Sequence, residues 1–261
     1  MFAPQTEWLP PQDFPDLSDH KEIAIDLETK DPNLKTMGSG SITGTGEIVG
    51  IALAVNGWSG YYPIAHEGGG NMDKKKVLDY FRKVLNLPAT KIFHNAMYDV
   101  CFIRAAGLDI AGDIVDTMIA GSLVDENRFR YDLGSMGRDY LGRGKNEAVL
   151  AETAAVWGVD AKSEMYKLPA MYVGEYAERD AELTLDLWQE MKKEIYAQDL
   201  ESIFTLEREL FPCLVDMRFL GVRVDLEAAS ELKDKLSSEE KECLLKVKKE
   251  TGVDTQIWAA R

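Results

Sequence analysis

Cysteine is scarce in this chain. Its three cysteines, Cys101, Cys213 and Cys243, are widely separated in 261 residues. They offer no metal-ligand spacing, and an odd number argues against a disulfide framework. A reducing cytoplasm suits such a chain. Long hydrophobic runs are also missing, so no segment reads as a membrane span. The opening "MFAPQTEWLPPQDFPDL" has no basic region followed by an apolar stretch, which excludes a secretory signal there. Its prolines suggest an extended arm over residues 1–20. Positive charge is in short supply as well. The 30 Lys and Arg face 45 Asp and Glu, giving a formal net charge of −15. That balance disfavours gripping nucleic acid by bulk charge. It leaves room for an enzyme whose local charge is reset by bound cations.

What is present suits a packed core, with 45% hydrophobic and 29% charged residues. Strands are expected at Glu22–Thr29, Glu47–Val55 and Trp58–Ile64, the last two joined by the hairpin turn Asn56-Gly57. Between the first two lies "DPNLKTMGSGSITGTG", a Gly-, Ser- and Thr-rich loop. "MDKKKVLDYFRKVLN" carries Val77, Leu78, Phe81, Val84 and Leu85 at helical spacing. A fourth strand, Thr90–Asn95, feeds a helix stopped by Gly107, and a short strand "DIVD" leads into a helix near Thr117–Leu123. The rest reads as helical, with strong periodicity over Tyr172–Tyr196 and further helices near Leu200–Leu220 and Leu226–Glu250. The fold class expected is α/β, a mixed sheet flanked by helices and followed by a C-terminal helical segment.

The chemistry concentrates in acids. In "EIAIDLETK", Asp26 and Glu28 are two residues apart on a strand and share a face. Bare carboxylates this close repel, and burial raises the cost. A shared proton, a salt bridge to Lys or Arg, or a divalent cation with its preference for hard oxygen ligands would each resolve the conflict. "HNAMYD" places Asn95 and Asp99 where a strand gives way to a helix, a usual position for functional groups on an α/β sheet. The same residues also suit an ordinary N-cap and a first-turn acid. "YAERDA" sets Tyr176 and Asp180 one turn apart on a helix.

Taken together and in this order, "DLE", "NAMYD" and "YAERD" resemble the three motifs of the DEDD superfamily of 3′–5′ exonucleases, in the subgroup with tyrosine in the third motif. "DTMIAGSLVDE" and "YDLGSMGRDYLG" resemble the stretches between the second and third motifs of proofreading domains. "LERELFPCLVDMRFLGVRVD" resembles the segment joining exonuclease to polymerase in family A DNA polymerases, phage versions above all. The resemblance implies a ribonuclease H-like fold. It also implies two domains, an exonuclease over residues 1–198 and a helical segment over 199–261 like the start of a polymerase domain.

As activity, it implies hydrolysis of single-stranded DNA from the 3′ end to nucleoside monophosphates, with two Mg²⁺ or Mn²⁺ ions held by Asp26, Glu28, Asp99 and Asp180. Asp26 would bridge both ions, Glu28 and Asp180 would complete the water-activating site, and Asp99 would serve the leaving-group side. Tyr176 would position the attacking water. Leu27, Thr29, Asn95 and Leu34 are the expected contacts to the strand, with Arg128, Arg130 and Arg138 as candidate phosphate contacts. The expected partners are a single-stranded DNA 3′ end and a polymerase domain in the same or a separate chain, with no membrane, inside a phage-infected bacterial cell. An RNA 3′–5′ exonuclease and a non-catalytic module of a larger polymerase are the competing readings. Elsewhere, His66 reads as a loop residue, Asp116 as a helix cap, and Tyr61, Tyr62, Trp157 and Trp188 as core or interface aromatics.

Overall fold

Alternation along one strand decides which way the acids point. In the computed structural model, which describes residues 4–255, Glu22–Lys30 forms strand β1. Residues 1–3 of the expected arm and 256–261 of the expected helical segment lie outside the described residues. Ile23, Ile25 and Leu27 turn to one side of β1 and join one hydrophobic cluster. Ala24 turns to the other side and joins a second cluster, so Asp26 and Glu28 share its side.

Among the described residues, β1 is the central strand of a single five-stranded sheet. Strand β2 (Glu47–Val55) pairs with it antiparallel and β3 (Trp58–Pro63) pairs with β2. The two-residue hairpin loop between them has Gly57 at φ 84°, the left-handed region that glycine enters at little cost. On the other edge β4 (Thr90–Phe93) lies parallel to β1, and β5 (Ile114–Asp116) parallel to β4. The order is β3-β2-β1-β4-β5.

Helices cover both faces. On one side sit α3 (Lys74–Leu85) and α4 (Ala96–Ala105), contributing Val77, Phe81, Val84, Phe102 and Ile103 to the first cluster. On the other sit α5 (Thr117–Val124), α6 (Leu133–Leu141) and the long α8 (Gly174–Ala197), which brings Ala177, Ala181, Leu183 and Trp188 into the second. The expected loop after β1 contains two short helical turns, α1 (Leu34–Met37) and α2 (Gly40–Thr43). Helix α7 is Ala148–Trp157; Trp157, at its end, is 47% exposed, whereas Tyr61, Tyr62 and Trp188 are core. The N-terminal arm is packed rather than free. Leu17 is buried, Phe14 lies against Tyr62 and Tyr80, and the Tyr80 hydroxyl donates to Pro15 O at 2.9 Å.

Among the described residues, those up to Phe219 form one compact unit and those from Leu220 onward another. Helix α9 (Glu201–Leu220), placed by its sequence in the segment after residue 198, therefore belongs almost entirely with the sheet. Its Phe204 enters the second cluster, Phe211 and Val215 enter the first, and Arg208 pairs with Asp113 at 3.1 Å. The second unit is the helix α10 (Leu226–Thr251), N-capped by Asp225 and with no buried residue. Among the described residues no helix is long and apolar enough to cross a membrane.

His66, in the loop after β3, is buried. Tyr61 OH lies 2.7 Å from its Nε2 and Leu168 O lies 3.0 Å from its Nδ1. Burial lowers its pKa to about 4, against the pull of the Leu168 carbonyl. Below about pH 6.5 the unfolded chain takes up a proton that the folded chain refuses, so stability falls as pH drops. Between about pH 6.5 and about pH 5 this one group costs about 2 kcal/mol. Denaturant titrations across that window should show a shallower loss for His66→Gln than for the wild type.

Candidate active site

β1 pairs with β4 only at Glu22, Ile23 and Ala24. Beyond Ala24 the two strands part, and the space on that side of β1 is taken by the start of α4. The Leu27 N–H donates to Asp99 Oδ1 at 3.0 Å. That bond ties the first-strand motif to the second motif, 72 residues away. The other edge of β1 remains paired with β2, with a register shift between Glu28 and Thr29. Gly50, the β2 partner of Glu28, has no room for a side chain, since a Cβ there would lie 2.0 Å from the Tyr61 hydroxyl. The tyrosine ring therefore occupies the floor beside the acids.

The turn into α4 is held from below. Asn95 adopts φ 64° and ψ 49°, a left-handed conformation uncommon for a side-chain-bearing residue. Its side chain makes no cap bond. Asp116 does the capping instead, with its carboxylate accepting from the N–H groups of Asn95 (2.9 Å), Ala96 (2.8 Å) and Met118 (2.8 Å). Asp116 thus N-caps α5 and secures the β4–α4 turn at once, while the Asn95 side chain stays exposed at the cleft.

Helix α8 supplies the last two groups from the opposite wall. Asp180 is 2% exposed, and its Oδ1 is buried without a hydrogen-bond partner. Electrostatics joins the four acids. Burial, and then the charge of Asp180, raise the pKa of Asp26 to about 7. Burial, Asp26 and Asp180 push Glu28 well up. Burial and Asp26 push Asp99 up, opposed by the Leu27 N–H. Asp180 is raised by burial against the pull of Lys145. Among the described residues neither Asp26 nor Glu28 receives a hydrogen bond on its carboxylate.

The positive charge at this site comes from Lys145, which sequence reasoning passed over. Its ammonium donates to Asp180 Oδ2 and, at 3.1 Å, to the Tyr176 hydroxyl. It also lies over the Tyr176 ring, 5.2 Å from its centre. The segment 142–147 that carries it runs between α6 and α7 and is fastened to its surroundings. Arg143 pairs with Asp186 of α8, and its N–H donates to Gly137 O, an approach that a side chain at Gly137 would block. The signal in the sequence is weak: "GRGKNE" is a short basic step between two helices, with Glu147 as an ordinary local acid.

A cleft of about 1040 Å³ opens over these groups. Asp26, Leu27, Glu28, Thr29, Asn95 and Tyr176 line it, while Asp99 and Asp180 are buried and stand outside that lining. Thr29 Oγ1 and Tyr98 OH are hydrogen-bonded at 2.8 Å on the wall. Arg130, Arg138 and Lys162 stand on the rim. Arg128 does not reach it, being paired with Asp139 at 2.7 Å and stacked on Tyr140. Leu34, 43% exposed on α1, is also outside the cleft lining.

The donor set is entirely hard oxygen, of the kind that Mg²⁺, Mn²⁺ and Ca²⁺ take. The partnerless Oδ1 of Asp180 and the bare carboxylates of Asp26 and Glu28 fit such a cation. Among the described residues no three acids are drawn together as a ready-made ligand cluster. Asp180 is engaged by Lys145.

A family model described as 3′–5′ exonuclease matches residues 13–196, most of the chain. The chain belongs to the 3′–5′ exonuclease family. A DNA-directed DNA polymerase of Pseudomonas phage M6 is 34% identical over 254 residues, covering 95% of this chain and 38% of the relative. The exonuclease chain thus spans well under half the length of that relative. Among solved structures, the polymerase domain of Pol1 from M. smegmatis, in complex with DNA primer-template and dNTP, superposes with a TM-score of 0.62 at 16% identity, covering 93% of this chain and 36% of that one. Brucella melitensis NrnC with bound Mg²⁺ superposes with a TM-score of 0.58 at 17% identity, covering 79% and 89%. These likenesses establish the ribonuclease H-like fold expected from the sequence.

Proposed function

We propose that this exonuclease removes nucleotides from the 3′ end of single-stranded DNA with the help of two divalent cations, as the proofreading part of a phage-type family A polymerase. The observation that carries this reading is the gathering of four carboxylates at an open cleft, Asp99 and Asp180 buried and Asp26 and Glu28 half-buried and bare, with Asp26 interacting with each of the others and one Asp180 oxygen partnerless. Unpaired acids at such cost are hard to explain as scaffolding.

Asp26, Glu28, Asp99 and Asp180 would hold Mg²⁺ or Mn²⁺. Bound there, the cations lower the pKa of an attacking water and neutralise charge on the phosphodiester oxygens. The chain's own groups do the rest. Tyr176 presents its hydroxyl one helical turn from Asp180 and orients the water. Its pKa is pushed far up by burial and by the neighbouring acids, so the hydroxyl keeps its proton and serves as a donor. Leu27 and Thr29 offer backbone and side chain to the terminal nucleotide, and Asn95 reaches its phosphate or sugar from the exposed turn. Arg130, Arg138 and Lys162 give an otherwise acidic molecule a local basic rim for the strand's backbone.

The test is a 3′-labelled single-stranded DNA incubated with the chain and Mn²⁺ or Mg²⁺. Mononucleotides should be released, and EDTA should stop the release. An intact strand in both metals would reject the reading, and faster digestion of a matched RNA would move the substrate to RNA.

A further inference from the structure

Resting on that reading, we infer that Lys145 is a stand-in cation: its ammonium occupies the Asp180–Tyr176 side of the acid cup when no metal is bound and must leave for a metal to bind there. Three observations converge. Asp180, almost fully buried, has one oxygen held by the Lys145 ammonium and the other without a partner. The same ammonium donates to the Tyr176 hydroxyl, so a single side chain engages both α8 groups of the proposed chemistry. The acids of β1 add to its hold, because Asp26 and Glu28 both interact favourably with Lys145 through space. A unit positive charge beside Asp180, Asp26 and Glu28 relieves their repulsion in the way a cation would.

Lys145 is also placed so that it can leave. Its side chain is 24% exposed toward the cleft, and it sits on the connecting segment between α6 and α7 rather than on the sheet or on α8. Arg143, two residues earlier, stays fastened through Asp186, so the side chain can swing out while the segment keeps its anchor. Withdrawal of the ammonium frees Asp180 Oδ2 and the tyrosine hydroxyl together, beside the Oδ1 that already has no partner. The consequence is competition, with divalent affinity set by the acids and reduced by the lysine that has to be displaced.

The experiment measures metal binding without DNA. Mn²⁺ titrations, followed by calorimetry or by the loss of the free-ion magnetic resonance signal, compare wild type with Lys145→Gln. Glutamine keeps the polarity and most of the length but not the charge. The variant should bind Mn²⁺ about tenfold tighter or more. It should melt lower than wild type in EDTA and gain more in melting temperature on adding Mn²⁺. In the wild type, mapping of amine acylation by mass spectrometry should show Lys145 becoming more reactive when Mn²⁺ is added, a readout that does not depend on the variant folding. Unchanged or weaker Mn²⁺ binding by a folded variant, or a Lys145 amine no more reactive with metal than without it, overturns the stand-in role and leaves the exonuclease reading in place. Absence of Mn²⁺ binding by both proteins overturns the two together.

Discussion

Asp26→Ala should eliminate release of nucleotides from a 3′ end while leaving the chain folded. Asp26 sits at the centre of the acid group. Its charge raises the pKa of both Glu28 and Asp99, and its own is raised by Asp180. It is the one acid that interacts with each of the other three. On the proposed two-cation reading a residue in that position would serve both cations, and its loss would remove more than one ligand's share of charge stabilisation. Each cation is worth several kcal/mol to the reaction, and about 4 kcal/mol corresponds to about 10³-fold in rate. A fall of about 10³-fold or more is therefore expected in single-turnover digestion of labelled single-stranded DNA. Stability should move the other way. In EDTA the wild type carries a half-buried carboxylate whose pKa of about 7 reflects how poorly its charge is accommodated. Removing that charge relieves the cup, and the β2 neighbour Ala52 is small enough to accept alanine opposite it. The variant should therefore melt no lower than wild type in EDTA, and should lose most of the wild type's gain on adding Mn²⁺. Digestion by Asp26→Ala at the wild-type rate would remove the four acids from the chemistry.

The placement of the acids is legible in the sequence because its signal is local. Period-two alternation in "EIAIDLET" separates Ile23, Ile25 and Leu27 from Asp26 and Glu28, and the structure puts the two sets on opposite faces of one strand. The four-residue spacing of Tyr176 and Asp180 needs only a helix, and α8 provides it. What was not legible depends on partners far along the chain. Lys145 meets Asp180 and Tyr176 only after the sheet has brought α8 beside the α6–α7 connection, and no pattern near residue 145 marks an acid across the cleft. His66 sits in a segment that reads as a polar loop, yet its ring is enclosed because Leu168, 102 residues later, supplies a carbonyl. Turns α1 and α2 carry no apolar periodicity. They exist because the Asp31 carboxylate accepts from Gly40 N–H and Gly46 N–H donates to Gly40 O. Helix α9 was read as the start of a following segment from its resemblance, while its packing follows Phe204, Phe211 and Val215 onto the sheet's helices.

Asp116→Ala should be the most damaging single change to the fold around the site. The carboxylate is 6% exposed and is shared by three backbone donors, Asn95, Ala96 and Met118. Burial raises its pKa even so, with the backbone N–H groups pulling the other way. Alanine leaves those donors facing a space where the acceptor stood, and each buried N–H without a partner costs about 1–3 kcal/mol. Asn95 returns part of the penalty, because its left-handed backbone persists only while its surroundings impose it and relaxes once the acceptor is gone. With some recovery as water reaches the exposed turn, a loss of about 4 kcal/mol is expected in urea unfolding of the whole chain. Asp116→Asn, which keeps one acceptor oxygen, should lose about half as much. The site should feel the change too. The turn that Asp116 secures fixes the first residues of α4, and Asp99 meets the Leu27 N–H from the first turn of that helix. Once the turn relaxes to a right-handed or extended conformation, Asp99 shifts relative to Asp26, and digestion should slow even at temperatures where the variant is fully folded. An Asp116→Ala chain that unfolds within about 0.5 kcal/mol of wild type would mean that water or a rearranged turn satisfies the three donors, and that the geometry of Asn95 does not depend on the acid beneath it.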